Sequence, residues 1–496
     1  MAHTQAHKTH ETFRRHLGLG DDALARGALP VALEAYGAAH TLMPEAHEPL
    51  CGLGQAALDL GMADRAARFF QEALIREPGI AAASCGLARA LSRLARHGDA
   101  IEALKGALAL SPATASLWLQ LGTIVRETGE LHNAAIFYRE ALRLNPQSAE
   151  AMGNLGDLAF DAGNVDEAFA LYQRALTIAP QNAQLHVNHA AALLARGEVV
   201  CGWAEYEWRL ELKGRKRFPH LPRWKGEALS GKALLVLAEQ GIGDEIAYAS
   251  YIPDLCARAS VTFACAPRLA PLFARSFPEA NVIAMPDDAP AGFDLAADLA
   301  SLPHLIGPWP ALCNVARGFL RADPERAACW SAWLSSLGPR AKIGLSWRSG
   351  KLTGLRALQY PPLELWASFA RRTDAEFVCI QYGAEPAEIA AFEAMSGVRL
   401  HVPPDLDQKN ALDETAAMIA GLDGAVCVAN AVAWMAAGLG VPTFKIQLHR
   451  SWTAGGADME PMAPVCRTVR PDDGQGFEAA FEETARYLAR LPSRTH

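Results

Sequence analysis

The chain has 496 residues, 51% of them hydrophobic, with a formal net charge of −8. That length predicts about three domains, and the mildly acidic balance excludes a nucleic-acid-binding chain, which would carry a basic excess. The ten cysteines include no C-x-x-C pair, so reduced, mostly buried thiols are expected rather than a zinc knuckle or a disulfide framework.

The opening MAHTQAHKTHETFRRH has no apolar core of signal-peptide length, and no later window offers about 18 uninterrupted apolar residues. A cytoplasmic protein that does not enter a membrane is expected. Residues 1–12 read as a flexible tail. His3, His7, His10 and His16 lie beside no cluster of Cys, Asp or Glu, and no metal is assigned to them.

Residues 13–215 read as helical repeats. Pro44, Pro78, Pro112, Pro146 and Pro180 recur every 34 residues, the tetratricopeptide period. Other columns keep the same phase: Gly20, Gly54, Ala88, Gly122, Gly156 and Ala190; Ala32, Ala66, Ala100, Ala134 and Ala168; Ala39, Ala73, Ala107, Ala141 and Ala175. Tyr36, Phe70, Leu104, Tyr138 and Tyr172 supply a large apolar residue between the last two. Small residues let paired helices approach, the large one fills the gap, and proline ends the second helix. Five full repeats and a sixth beginning at Gln181 predict an α-superhelix with a concave groove suited to peptides.

In that groove one position of the first helix carries Gln120, Asn154 and Asn188. Amides offer both donors and an acceptor, so a row of them can hold a peptide backbone; ordinary solvation of an exposed face is the alternative. Gly52 and Gly86 interrupt the row. The connector GWAEYEWR has Trp203, Tyr206 and Trp208 at helical spacing and reads as a core seam. The basic cluster from Lys213 to Arg217 reads as a solvated linker.

From Ala233 the pattern changes to strands alternating with helices. Strands are expected at ALLVLA, SVTFACA, NVIAM, KIGLSW, EFVCIQ, GAVCVA and PTFKI, which predicts parallel sheets with right-handed crossovers. The fold class is therefore α + α/β: repeats, then two Rossmann-like domains over 216–335 and 336–496, with ligands at the C-terminal ends of the strands. EQGIGDEIAYASY, Glu239 to Tyr251, joins a strand to a helix but lacks the P-loop lysine and the third glycine of a dinucleotide fingerprint. Its glycines read as bringing Asp244 into the cleft. Arg348, Lys351 and Arg356 follow another strand and could meet an anion, with Gly350 and Gly354 allowing close approach. Asn430 and Ala431 open a helix whose free N–H groups suit a phosphate.

LLVLAEQGIGDEIAYASYIPDL, FDLAADLASLP, IGLSWRSG, VCIQYGAE and the run from Leu412 to Pro442 resemble the bacterial tetratricopeptide glycosyltransferases whose catalytic half is related to the lipopolysaccharide heptosyltransferases. The likeness extends over nearly the whole chain. In architecture the chain is also similar to eukaryotic O-linked N-acetylglucosamine transferase. A looser resemblance is to flagellin glycosyltransferases of the FlmG type, associated with nonulosonic acids such as pseudaminic acid donated from a CMP conjugate. The resemblance implies a GT-B fold, a metal-independent transfer, a nucleotide sugar as co-substrate and no other cofactor. It implies a protein acceptor in the repeat groove, with flagellin as a candidate, and allows a homo-oligomer.

It further implies Asp244 as the base, although an aspartate there also reads as a helix cap, and Glu239 or Glu245 could serve instead. Donor contacts fall on Gly241, Gly243, Arg348, Lys351, Arg356, Gln381, Asn430 and Ala431. Three departures bear on the donor. The family's Asp-Thr is Ala429-Asn430, its following His is Trp434, and the Lys of its L-Q-K-G is Tyr382. These changes fit either a single-phosphate donor such as a CMP conjugate or a degraded catalyst. A repeat scaffold with an inactive transferase half, and a transferase for lipopolysaccharide sugars, remain the competing readings.

Overall fold

The computed structural model describes the chain except residues 1, 213, 215–217, 219, 289, 312–317, 351–359, 472–475 and 491–496, together with the side chains of 2–6. It divides into two compact units, one of Met1–Leu158 with Thr177–Pro180 and one of Ala159–Leu176 with Gln181–His496. The division falls inside the fifth repeat rather than near residue 215.

Twelve helices carry the repeats: α1 (Ala2–Ala25), α2 (Leu29–Leu42), α3 (Glu48–Asp59), α4 (Ala63–Arg76), α5 (Ala81–Arg93), α6 (His97–Leu110), α7 (Ala115–Glu127), α8 (Leu131–Leu144), α9 (Ala149–Asp161), α10 (Val165–Ile178), α11 (Ala183–Ala195) and α12 (Val199–Tyr206). In place of a tail over 1–12, α1 is helical from Ala2, and no proline or glycine interrupts residues 2–17. Each even-numbered helix from α2 to α10 ends two residues before its proline. The aromatic column explains the small one. A Cβ on Gly20 would lie 2.6 Å from the Tyr36 ring, one on Gly54 2.7 Å from Phe70, and one on Gly122 2.7 Å from Tyr138. Neighbouring repeats are further tied by Arg89 to Gln55 at 2.7 Å and Arg126 to Asp157 at 3.2 Å.

A further column of period 34 is visible in the backbone. The turn between the two helices of each repeat holds a left-handed residue: Gly27, Gly61, Ala95, Gly129, Gly163 and Gly197. Ala95 takes φ +58° where the other five repeats use glycine.

In the second unit β1 (Ala233–Leu237), β2 (Ser260–Cys265), β3 (Asn281–Ala284) and β4 (Leu295–Asp298) form a parallel sheet in the order β3-β2-β1-β4. β5 (Lys342–Ser346), β6 (Glu376–Cys379), β7 (Leu400–His401), β8 (Gly424–Val428), β9 (Thr443–Ile446) and β10 (Cys466–Val469) form another, in the order β10-β9-β8-β5-β6-β7. Read from β7, that is the Rossmann order 3-2-1-4-5-6, reversing between β5 and β8. All seven expected strands are present, joined by β4, β7 and β10, at four, two and four residues, of which β7 is too short to carry a periodic signal. Alternate residues of the strands face two cores. Val378, Ile380, Ala425 and Cys427 join a core shared with Trp203 and Tyr206, and Phe377, Cys379, Val426 and Val428 join the other. Both faces of the sheet are covered, as parallel sheets require.

Glycine loses more freedom on folding than alanine, but the left-handed region costs alanine more. Ala95→Gly should therefore raise unfolding free energy by about 0.5–1 kcal/mol, and Gly61→Ala should lower it by a similar amount. Urea midpoints of the three proteins check both signs.

Candidate functional site

The strand β1 ends at a turn, Glu239–Gly241, that leads into the helix Ile242–Ala249. β8 ends at Ala429-Asn430, which leads into the helix Ala431–Gly438. The two helix starts touch: a Cβ on Gly243 would lie 3.3 Å from the Ala431 Cα and 3.5 Å from its nitrogen. They border a cavity of about 480 Å³ whose lining includes Gly243, Asp244, Asn430, Ala431, Trp434 and Lys445. Phe160 and Asp161, at the end of α9, form another part of the wall, and residues 446–453 complete it together with Ser349, Tyr360 and Ala429.

Asp244 is half-buried, and its Oδ2 accepts the Gly241 N–H at 3.3 Å. It therefore caps its helix and faces the cavity at once. The two alternative carboxylates are engaged elsewhere. Glu239 grips Arg209 (Nη2 at 2.5 Å) and accepts the Ala300 N–H at 3.3 Å. Glu245 is buried and accepts the Ala266 N–H at 2.9 Å. Asp244 is the one of the three that lines the cavity. Gly241 keeps an extended backbone, and a Cβ there would meet nothing closer than 3.6 Å, so the close approach belongs to Gly243.

The cations expected at the donor are placed differently. Arg348 forms a two-pronged pair with Glu388, at 2.6 Å from Nε and 2.6 Å from Nη2, and donates to the Gly383 carbonyl at 2.7 Å. A guanidinium so matched has its fork filled, which corrects its assignment to a donor anion. Lys351, Gly354 and Arg356 lie outside the described residues. Gln381 is buried, and its Oε1 accepts the N–H groups of Trp347 and Arg348, each at 2.9 Å. It clamps the loop after β5 instead of reaching a ligand. Gly350 likewise serves packing: its N–H donates to the Tyr382 hydroxyl at 2.7 Å, and a Cβ would strike that ring. Asn430 caps the Ala431 helix through the Ala433 N–H at 3.1 Å and donates to Ser346 Oγ at 2.8 Å. It shapes the cavity wall while fixing β5 to β8.

The cavity wall also holds one member of a charged pair with no local signal in the sequence. Lys445 on β9 is 3% exposed, paired with the fully buried Glu460, and lies 5.4 Å from the centre of the Trp434 ring. Glu460 also accepts Ser451 Oγ at 2.7 Å and Thr453 Oγ1 at 2.9 Å. A lysine inside PTFKI reads as a strand residue, and only tertiary placement of Glu460 from a separate loop reveals the pair. Asp298, at the end of β4, is pushed up to about 6, chiefly by burial and also by Glu239, against the pull of Arg223.

Of the amide row, Gln120 on α7 and Asn154 on α9 are half-exposed in the first unit. Asn188 on α11 belongs to the second unit, and its Oδ1 accepts from Gln184 at 2.7 Å. At the two breaks in the row a side chain would meet a ring. A Cβ on Gly52 would lie 2.5 Å from the Tyr36 ring, and one on Gly86 2.3 Å from Phe70. Asn154 and Asn188 follow Tyr138 and Tyr172 at the same spacing, so the contact is particular to the two glycine positions. Gly86→Asn should therefore destabilise the protein by about 1–3 kcal/mol through overpacking, and Phe70→Leu in the same chain should recover part of that in a urea titration.

The Arg348–Glu388 pair carries a pH signature. Burial works to raise the Glu388 carboxyl, but Arg348 and the Glu385 N–H outweigh it and hold it below its ordinary 4.5. A depressed carboxyl stabilises the fold above that value and loses its contribution as pH falls through the folded value. Glu388→Gln should consequently flatten the loss of stability between about pH 5 and pH 3, as measured by thermal melts across that range.

Three stretches, residues 17–84, 85–149 and 138–183, match the tetratricopeptide repeat family. Protein FlbA of Caulobacter vibrioides is 35% identical over 300 residues, 56% of this chain and 50% of that protein. Among solved structures, the thermophilic tetratricopeptide protein TTC0263 of Thermus thermophilus is 29% identical over 37% of this chain and 99% of its own, with a TM-score of 0.35. MamA is 25% identical over 34% of this chain and 97% of its own, with a TM-score of 0.28. Among the described residues no helix is long and apolar enough to cross a membrane. The chain carries tetratricopeptide repeats ahead of paired parallel α/β sheets, and it spans half the length of the relative FlbA.

Proposed function

We propose that the protein is a protein O-glycosyltransferase, metal-independent and of GT-B architecture, that holds a protein acceptor with its repeats and transfers a sugar from a nucleotide conjugate to a Ser or Thr hydroxyl. The observation that carries the reading is Asp244 on the wall of a cavity where helix starts from two parallel sheets meet. Transfer needs a base for the hydroxyl proton, stabilisation of the departing phosphate and exclusion of water. Asp244 takes the proton as the hydroxyl oxygen attacks the sugar carbon and the carbon–oxygen bond to phosphate breaks. The starts of the Ile242 and Ala431 helices supply backbone N–H groups and the positive ends of their dipoles to the leaving phosphate. Arg450, on the same wall, supplies a cation.

Among the described residues of the wall Lys445 is matched by Glu460, which leaves Arg450 as the cation for a phosphate. That favours a donor with one phosphate, such as CMP linked to a nonulosonic acid of the pseudaminic type. The repeats support a protein partner, for which flagellin is the candidate, and a cytoplasmic setting belongs to the same reading. A second reading, a repeat scaffold with an inactive α/β half, draws on the Asp244 cap to Gly241 and on Ala429 and Trp434 in place of the family's residues.

Thermal melts with CMP, UDP, GDP and ADP separate the two, because a ligand of the folded state raises stability by mass action. The transferase reading expects CMP to raise the melting temperature and Asp244→Ala to abolish sugar transfer while leaving CMP stabilisation intact. Stabilisation by none of the four, or near-normal transfer by Asp244→Ala, would refute it.

A further inference from the structure

The turn that presents Asp244 is strained. Gln240 adopts φ +71°, the left-handed region, which costs a residue with a Cβ free energy and persists only where the surroundings over-determine it. The surroundings that do so come from the connector formed by the end of α12 and the turn after it. Its Tyr206 hydroxyl lies 3.0 Å from Gln240 Nε2 and 3.2 Å from Oε1. Arg209, 3% exposed, grips Glu239, the residue before, and donates to Ser301 Oγ at 2.8 Å. Its guanidinium stacks 5.1 Å over the Tyr206 ring. Tyr206 is itself wedged against Trp203 and Trp452, at centroid distances of 5.9 and 5.5 Å. On the other side of Gln240, the Gly241 N–H donates to Asp244 Oδ2. A continuous set of contacts thus runs from Arg209 and Tyr206 through Glu239 and Gln240 to the Asp244 carboxylate.

We infer that Tyr206 and Arg209 of the connector are positioning residues for the reaction, holding Gln240 left-handed so that Gly241 and Asp244 keep their geometry at the cavity wall. Burial pushes the Tyr206 hydroxyl up to about 12, so it stays protonated as a neutral partner for the amide. Without that partner, Gln240 returns toward negative φ, the Gly241 N–H turns away, and the carboxylate loses that contact. The chemical step then suffers while donor binding does not, because neither Tyr206 nor Gln240 lines the cavity. This inference rests on Asp244 as the base, and its test keeps the two separable.

In the full-length protein, Tyr206→Phe keeps the ring packing and removes only the hydroxyl, and Gln240→Gly removes the amide while relieving the strain. Hydrogen exchange over residues 239–245 should quicken about tenfold in each variant. With a CMP-linked nonulosonic acid as donor, kcat should fall about tenfold with KM for the donor unchanged, and the double variant should lose no more than either single one, since both act through one bond. Unchanged exchange in Tyr206→Phe, losses that multiply in the double variant, or a rise in KM alone would overturn the inference. If the wild-type protein transfers no sugar, the proposed function falls, and the exchange measurement alone then decides whether the connector sets the turn.

Discussion

The approach of Gly243 to Ala431 is the constraint on which the site depends. Each lies at the first turn of a helix that leaves the C-terminal end of a strand, one from each sheet. The backbones come so close that a Cβ at 243 would sit 3.3 Å from the Ala431 Cα. Two helix starts brought together in this way concentrate N–H groups and dipole ends in one place. They also set Asp244, the next residue, and Asn430, the preceding cap, on the same wall. The switch point of the second sheet, between β5 and β8, is thereby aimed at the turn after β1 rather than at open solvent.

Around that contact, buried and half-buried charge is used to hold backbone rather than to greet a ligand. Arg209 with Glu239, Arg348 with Glu388, and Lys445 with Glu460 each join segments distant in sequence. Each also leaves carboxylate oxygens bonded to backbone N–H or hydroxyl groups. Such pairs offset their desolvation only when their geometry and remaining hydrogen bonds are good. Their yield here is a fixed arrangement of loops: the 239–241 turn, the start of the 348–350 loop, and the 451–453 segment of the cavity wall. The repeats enter this scheme directly. The turn at Gly163 admits His449 of the cavity wall, since a Cβ would lie 2.6 Å from His449 Nδ1, and Gly456 packs against the Ala195 carbonyl.

Much of the fold was legible because it depends on local rules. A period of 34 in proline, alanine and aromatic residues reports helix ends and helix contacts that repeat identically, and seven strands show as β-rich runs. β7, at two residues, is too short to show, and β4, Leu-Ala-Ala-Asp, lacks the β-branched and aromatic residues that mark a strand. The left-handed turn column was overlooked because Ala95 interrupts its run of glycines. Asp244 and Asn430, which line the cavity, follow strands, and that place in the chain is a local signal. Arg348 and Gln381 also follow strands, so the same local signal points to them as ligand contacts. Their true partners, Glu388 and the 347–348 backbone, are set by how β5 and β6 lie side by side, which no local pattern encodes.

The sequence by itself determined the α + α/β class, the repeat count and the order of the strands along the chain, since periodicity and β-rich runs are properties of neighbours. Only the tertiary structure decided which carboxylate faces the cavity, which cations are already matched, and that the connector grips the turn before Asp244. Those outcomes depend on distances between residues tens to hundreds of positions apart. A charged side chain reads the same in sequence whether its partner is water, a ligand or a buried glutamate.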